Sequence, residues 1–150
     1  MSAGEPCPAV RVVRLRPGAR LPSRATPGST GFDLYACIPD PGFIDVGSDP
    51  VLVPTGVAIE IPTGYDAQIR PRSGLSARGV IATFGTLDSD YRGEVFVTLY
   101  CVGSAGPYRV HDGDRIAQLV ITRLADLPLV EVDALSETER GAAGHGSTGR

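Results

Sequence analysis

Three places in the sequence carry residue types that could bind an anionic ligand. The segment 70–74, Arg-Pro-Arg-Ser-Gly, sets two guanidinium groups and a hydroxyl just before a predicted short helix, whose first backbone amides point outward and favour anions. Asp88, Asp90 and Tyr91 share a glycine-flanked loop, where a ligand can approach the backbone closely. The glycine-rich C-terminal end could wrap a phosphate chain with the side chains of Arg140, Ser147, Thr148 and Arg150. Together these places predict a polyphosphate ligand with a carboxylate close to it.

The elements that position these residues are predicted to be short strands. The chain has 150 residues, enough for one domain, and its 19 glycines and 13 prolines disfavour a helix bundle. Turn signals such as Pro-Thr-Gly at 54–56 and 62–64 recur at a spacing typical of an all-β sandwich or barrel. The predicted strands are 11–15, 32–38, 51–53, 57–61, 65–69, 80–82, 94–102, 108–110, 115–121 and 129–132. One helix is predicted at 73–78, and 80–82 and 94–102 are expected to pair as a hairpin across a loop at 85–93.

A single all-β domain is expected over residues 1–135, with residues 1–9 as a loose N-terminal arm. Residues 136–150 are rich in glycine and have no apolar pattern, so they are expected to form a flexible C-terminal arm. The domain is therefore predicted to end in a segment that contributes nothing to its core.

Charge, hydropathy and cysteine usage exclude several classes of partner. A net charge of −3, with no lysine at all, lacks the basic field of a general nucleic-acid binder. No stretch approaches the roughly 18 apolar residues of a membrane helix. Cys7, Cys37 and Cys101 are odd in number and lack metal-ligand spacing, which favours reduced thiols. We therefore expect a cytoplasmic protein that binds neither nucleic acid nor a membrane.

Five segments, in order, resemble the five motifs of the trimeric all-β deoxyuridine triphosphatases (dUTPases). The segments are Ala25–Ala36, Pro71–Gly79, Gly85–Glu94, Gly113–Ile121 and Arg140–Gly149. Any one of them alone would be modest evidence, but five in the right order and spacing cover nearly the whole chain. The resemblance implies a distorted β-barrel or jelly-roll-like domain with one short helix, the dUTPase-like β-clip. It also implies a homotrimer with a swapped C-terminal arm.

The activity implied by the resemblance is hydrolysis of dUTP to dUMP and pyrophosphate with Mg²⁺. Such a reaction limits uracil incorporation into DNA and supplies dUMP for thymidylate synthesis. Each of the three active sites in a trimer would be built from parts of all three subunits. Asp88 matches the carboxylate that orients and deprotonates the attacking water. Asp33 matches a position near the metal that acts through waters.

The resemblance also implies which residues bind the substrate. The base and sugar would be held by Gly85, Thr86, Leu87, Tyr91 and His145. The phosphates would be held by Arg72, Ser73, Gly74 and Gln118 of a second subunit. The arm of a third subunit would close over the active site with Arg140, Ser147 and Thr148.

The sequence departs from the family pattern at two places. His145 stands where relatives usually carry a phenylalanine that stacks on uracil, and segment 81–84 lacks the asparagine that many relatives place there. Two other kinds of protein with a similar fold are alternatives: a dCTP deaminase and a non-catalytic nucleotide-binding trimer. Thr98 stands where the deaminases carry their catalytic glutamate, which argues against deamination. A β-sandwich binding module would explain the composition but none of the motifs.

Overall fold

The computed structural model describes residues 8–144, in which ten strands and one short helix follow one another along the chain. The elements are β1 (Arg11–Arg14), β2 (Phe32–Tyr35), β3 (Phe43–Val46), β4 (Val51–Glu60), β5 (Tyr65–Arg70), α1 (Ser73–Ser76), β6 (Val80–Ala82), β7 (Gly85–Leu87), β8 (Glu94–Cys101), β9 (Tyr108–His111) and β10 (Arg115–Arg123). The prediction of an all-β domain with one short helix is confirmed.

Two four-stranded antiparallel sheets carry the fold. One has the order β1-β4-β8-β6 and the other the order β2-β10-β5-β7, while β3 and β9 form a separate two-stranded sheet. Side chains alternate across each strand, so that Val95, Val97 and Leu99 of β8 are fully buried while Phe96 between them is exposed. One continuous core takes residues from both large sheets, including Leu34, Ile59, Leu99, Ile116 and Leu119. This core holds the strand ends that carry the residues predicted to bind a ligand.

The structure differs from the predicted elements in the strands that depend on distant partners. β3 and β7 form in segments that were predicted as loops, because each is completed by a partner far along the chain, β9 and β5 respectively. β4 is one strand where two were predicted, since its pairing with β8 continues across an irregularity between Pro54 and Ala58. Gly56 makes this possible with a φ of +69°. The predicted pairing of β6 with β8 is confirmed, although β7 lies between them in sequence.

The prediction of a strand at 129–132 is wrong. The residues after Arg123 form no strand or helix as far as residue 144, and Leu127, Leu129 and Leu135 are almost wholly exposed. A strand needs a hydrogen-bonding neighbour, and this apolar segment has none within the described chain. No helix in residues 8–144 has the length and apolar character needed to cross a membrane.

Candidate active site

The loop between β7 and β8 forms one wall of a cavity of about 250 Å³. Five of the predicted site residues line this cavity: Gly85, Thr86, Leu87, Asp88 and Tyr91. The rest of the lining comes from Ile69, Glu94, Val95 and Phe96. The structure therefore gathers five of the residues predicted to contact base, sugar or water around one space; His145, the sixth, falls outside the described residues.

The strand β7 lines this cavity along its length. Among residues 8–144 it is the last strand of its sheet, paired with β5 on one side only. An edge strand presents peptide N–H and C=O groups that no neighbouring strand uses. Gly85 lets β7 lie close over β5, since a Cβ there would come within 3.3 Å of the Ile69 side chain. Such an edge can hydrogen-bond a flat polar ring such as a nucleobase.

A tight turn after β7 presents Asp88 and Tyr91 to the cavity. The Tyr91 N–H donates to the Asp88 carbonyl at 3.1 Å, and the Tyr91 hydroxyl donates to the Glu94 carbonyl at 2.9 Å. Gly93 is required here, because a Cβ at this position would overlap the Tyr91 hydroxyl. The Asp88 side chain is exposed and so is open to water. This arrangement can hold a carboxylate and an aromatic ring side by side.

A second cluster of site residues forms where β2, β10 and the start of α1 meet. Arg72 donates from Nε to the Asp33 carboxylate at 3.1 Å, and Arg115 Nη1 lies 3.5 Å from the other carboxylate oxygen. The Asp33 side chain is only 13% exposed. A cavity of about 340 Å³ beside this cluster is lined by Arg72, Gly74, Leu75, Arg78, Tyr108, Asp114 and Arg115. The excess of guanidinium groups suits a ligand with several negative charges.

Gln118 fixes the turn that leads into α1. Its side-chain amide donates to the Pro71 carbonyl at 2.9 Å, so it holds the segment that carries Arg72 and Ser73. Gly31 packs against this side chain so closely that a Cβ there would overlap the Gln118 amide. The residues of the first, second and fourth motif segments thus come together in one place.

The two cavities have no lining residue in common. Arg140 lies far along the exposed C-terminal segment, where its Nε donates to the Ala143 carbonyl at 2.9 Å. His145, Ser147 and Thr148 fall outside the described residues. A single chain therefore presents the predicted site as separate parts.

An ion pair behind the first cavity was not predicted from the sequence. The Arg16 guanidinium donates two hydrogen bonds to the Glu94 carboxylate, and this contact raises the pKa of Arg16. The two residues are 78 positions apart, so no local pattern could have paired them. The only signal was that Glu94 closes the third motif segment.

The described residues offer little for direct metal binding. No group of three His, Cys, Asp or Glu side chains that could hold an ion occurs in residues 8–144. Asp33 already contacts two guanidinium groups, so much of its negative charge is compensated without a cation. The donor set fits a Mg²⁺ ion held chiefly by the phosphates of a ligand, because Mg²⁺ keeps most of its own waters.

Comparison with known sequences gives one consistent result. A family model described as dUTPase matches residues 18–149. A protein from Wolinella succinogenes, named deoxyuridine 5'-triphosphate nucleotidohydrolase, is 45% identical over 144 residues, which is 94% of each chain. A protein of the same name from Treponema denticola is 46% identical over 139 residues, covering 91% of this chain and 95% of its own.

Comparison with solved structures gives the same fold. A dUTPase of Staphylococcus bacteriophage 80alpha, solved with dUpNHpp, superposes with a TM-score of 0.82 at 26% identity, covering 95% of this chain and 99% of its own. A dUTPase from phage phi11 of S. aureus, which coordinates a structural Mg(II) ion, superposes with a TM-score of 0.74 at 22% identity. It covers 84% of this chain and 97% of its own.

Proposed function

This chain belongs to the dUTPase family, and from that membership we propose that it hydrolyses dUTP to dUMP and pyrophosphate. The observation that carries the proposal is the cavity in which β7, Asp88 and Tyr91 meet. The relatives from Wolinella and Treponema, which match this chain over more than nine-tenths of its length, are named for the same activity. The product dUMP would serve thymidylate synthesis, and removal of dUTP would keep uracil out of DNA.

We propose that uracil binds along the open edge of β7. Peptide groups of Gly85, Thr86 and Leu87 would pair with the polar edge of the base. The Tyr91 ring would lie under the deoxyribose, where an added 2′-hydroxyl would clash with it. The hydrogen bond from the Tyr91 hydroxyl to the Glu94 carbonyl and the close packing of the ring on Gly93 hold this ring in place and so support the assignment.

Asp88 is proposed as the general base. Its exposed carboxylate would accept a proton from a water molecule as that water attacks the α-phosphate in line, and pyrophosphate would leave on the opposite side. Arg72, with the turn residues Ser73 and Gly74, would bind the phosphate chain. Gln118, through its bond to Pro71, would hold that turn in position.

When bound, Mg²⁺ would neutralise part of the phosphate charge, with Asp33 contacting the waters around it. A second proposed role of Asp33 is to orient Arg72, and their 3.1 Å contact supports it. The reducing cytoplasm remains the compartment that we propose, in line with Cys37 and Cys101, which are free thiols.

We also propose that the active site is shared between subunits of a homotrimer. In one chain the groups that would act on base and phosphate line different cavities, which supports a site in which a second copy supplies the phosphate-binding cluster. Exposed leucines and valines at 124–135 would pack on a neighbouring copy, and an apolar groove lined by Val12, Phe32 and Ile121 is one surface that could receive them. From there the arm, with Arg140, Ser147, Thr148 and His145, would reach a third site.

Mixing two inactive variants tests this sharing. Asp88→Asn and Arg72→Met are each expected to be nearly inactive alone, yet coexpression should restore activity, because some sites then combine an intact Asp88 with an intact Arg72. Random assembly predicts roughly a quarter of the wild-type rate. Pyrophosphate release and sedimentation are measured on the same samples. A fully active monomer, or mixtures as inactive as their components, would contradict the shared site.

A substrate panel tests the activity itself. With Mg²⁺, pyrophosphate release is expected from dUTP and to be far slower from dCTP, dTTP and UTP. Tyr91→Ala should reduce the ratio of the dUTP rate to the UTP rate, because the ring that excludes the 2′-hydroxyl is gone. The ratio of the dUTP rate to the dTTP rate should persist, since it depends on the β7 edge. Ammonia release from dCTP would instead point to a deaminase, and nucleotide binding without turnover to a non-catalytic trimer.

A further inference from the structure

The strand β4 carries an irregularity directly behind the candidate active site. Pro54 pairs with Phe96 and Ala58 pairs with Glu94, so three residues of β4 lie opposite the single residue Val95 of β8. Such a bulge leaves backbone groups without ladder partners, and buried groups of this kind must be satisfied in some other way.

Two side chains and one backbone N–H supply the missing hydrogen bonds at the bulge. The hydroxyl of Thr55, which is 1% exposed, donates to the Val95 carbonyl at 2.6 Å. The Gly56 N–H donates to the Glu94 carboxylate at 2.8 Å, and the Gly56 carbonyl accepts from the Leu15 N–H at 2.8 Å. The bulge is therefore fastened to β8 by the first two residues of that strand.

The Glu94 carboxylate is the centre of this network. Its side chain is 16% exposed and receives two hydrogen bonds from Arg16 in addition to the one from Gly56. A carboxylate so little exposed requires such partners, because burial removes its hydration. The geometry at Gly56 is tightly constrained, since a Cβ there would come within 2.8 Å of the Cys37 sulfur.

Glu94 is also tied to the catalytic turn. Its carbonyl accepts the hydrogen bond of the Tyr91 hydroxyl at 2.9 Å, and the Tyr91 N–H bonds the Asp88 carbonyl at 3.1 Å. Glu94 thus contacts the fixed bulge with its side chain and Tyr91 with its backbone, while lining the same cavity. Any shift of Glu94 would be passed to the ring of Tyr91 and, through the turn, to Asp88.

We propose that Glu94, held by Arg16 and by the β4 bulge, is a positioning residue that sets where Tyr91 and Asp88 lie in the active site. This inference rests on the proposed dUTP hydrolysis. Glu94 takes no proton from substrate or water; it acts through the turn that it anchors. The ion pair of Arg16 with Glu94 thereby determines how sharply Tyr91 discriminates deoxyribose from ribose.

The test compares Arg16→Met and Glu94→Gln with a matched control. Arg109→Met breaks another two-bonded ion pair, the contact of Arg109 with Asp45 at 2.7 and 2.8 Å between β9 and β3, and neither residue lines the cavity. We expect Arg16→Met and Glu94→Gln to lower kcat for dUTP about tenfold and to reduce the ratio of dUTP to UTP activity by a similar factor. Arg109→Met should change neither. Arg16→Lys, which keeps the charge, should recover much of the ratio.

A second measurement does not depend on turnover. In the nucleotide-free protein, hydrogen exchange at the amides of residues 88–93 should be faster in Arg16→Met and unchanged in Arg109→Met. If the wild-type protein fails to hydrolyse dUTP, the proposed function is wrong, and this exchange measurement still tests the anchoring. Lower thermal stability with an unchanged dUTP to UTP ratio and unchanged exchange at 88–93 would overturn the proposal, because the ion pair would then serve stability alone.

Discussion

Asp88→Asn is expected to lower kcat for dUTP by about 10²–10⁴-fold while leaving nucleotide affinity within a few-fold of the wild type. The substitution keeps the size and the hydrogen-bonding shape of the side chain but removes its capacity to accept a proton. The turn should survive, because the bond that holds Tyr91 uses the Asp88 backbone carbonyl and not its side chain. Single-turnover hydrolysis and equilibrium binding of a non-hydrolysable dUTP analogue measure the two quantities separately.

Asp90→Asn is the matched control for this experiment. Asp90 lies two residues further along the same loop and is also exposed, but it does not line the cavity. Its substitution should leave kcat nearly unchanged. If instead Asp90→Asn is inactive and Asp88→Asn retains activity within a few-fold, the general base has been assigned to the wrong carboxylate.

Deletion of residues 137–150 is expected to give a folded trimer that binds dUTP weakly and turns it over at least about 10²-fold more slowly. The fold should persist because the buried core of the described residues extends from Ala19 to Val120. The segment 124–135, proposed to contact a neighbouring copy, also remains. Activity should fall because the deletion removes Arg140 and the hydroxyls proposed to bind phosphate, and small misplacements of a phosphate chain are costly for in-line attack.

Smaller changes in the arm separate its contributions. His145→Ala should weaken dUTP binding, because stacking of a base on a flat side chain contributes roughly 1–3 kcal/mol. His145→Phe should keep or improve activity, since it restores the stacking residue usual in the family. These expectations rest on the sequence alone, because residues 145–150 fall outside the described structure. A deletion variant as fast as the wild type would show that the arm has no part in the reaction.

Local patterns predicted those parts of the fold and site that depend on near neighbours in sequence. Turn residues such as those at 62–64 marked the strand ends, and the loop carrying Asp88 and Tyr91 was recognised from residues that adjoin one another. The strands β3 and β7 were missed because only pairing with distant strands makes them strands. The apolar segment 129–132 was predicted as a strand because its composition fits one, but composition does not supply a neighbour.

The same limit applies to the site. The contact of Arg16 with Glu94 and that of Arg72 with Asp33 join residues 78 and 39 positions apart. Charged residues have no periodic signature that names their partners. The sequence therefore identified groups that could meet a ligand, whereas the residues that hold those groups in place emerged only from the folded chain.

The open edge of β7 has a consequence for how the protein can evolve. Hydrogen bonds from a strand edge are made by peptide groups, which every residue except proline carries in full. Substitutions at positions 86 and 87 by residues other than proline would alter the walls of the cavity and leave the donor and acceptor pattern intact. We therefore expect the proposed selectivity for a base to tolerate substitutions at these two positions better than at Gly85, where a Cβ would come within 3.3 Å of the Ile69 side chain.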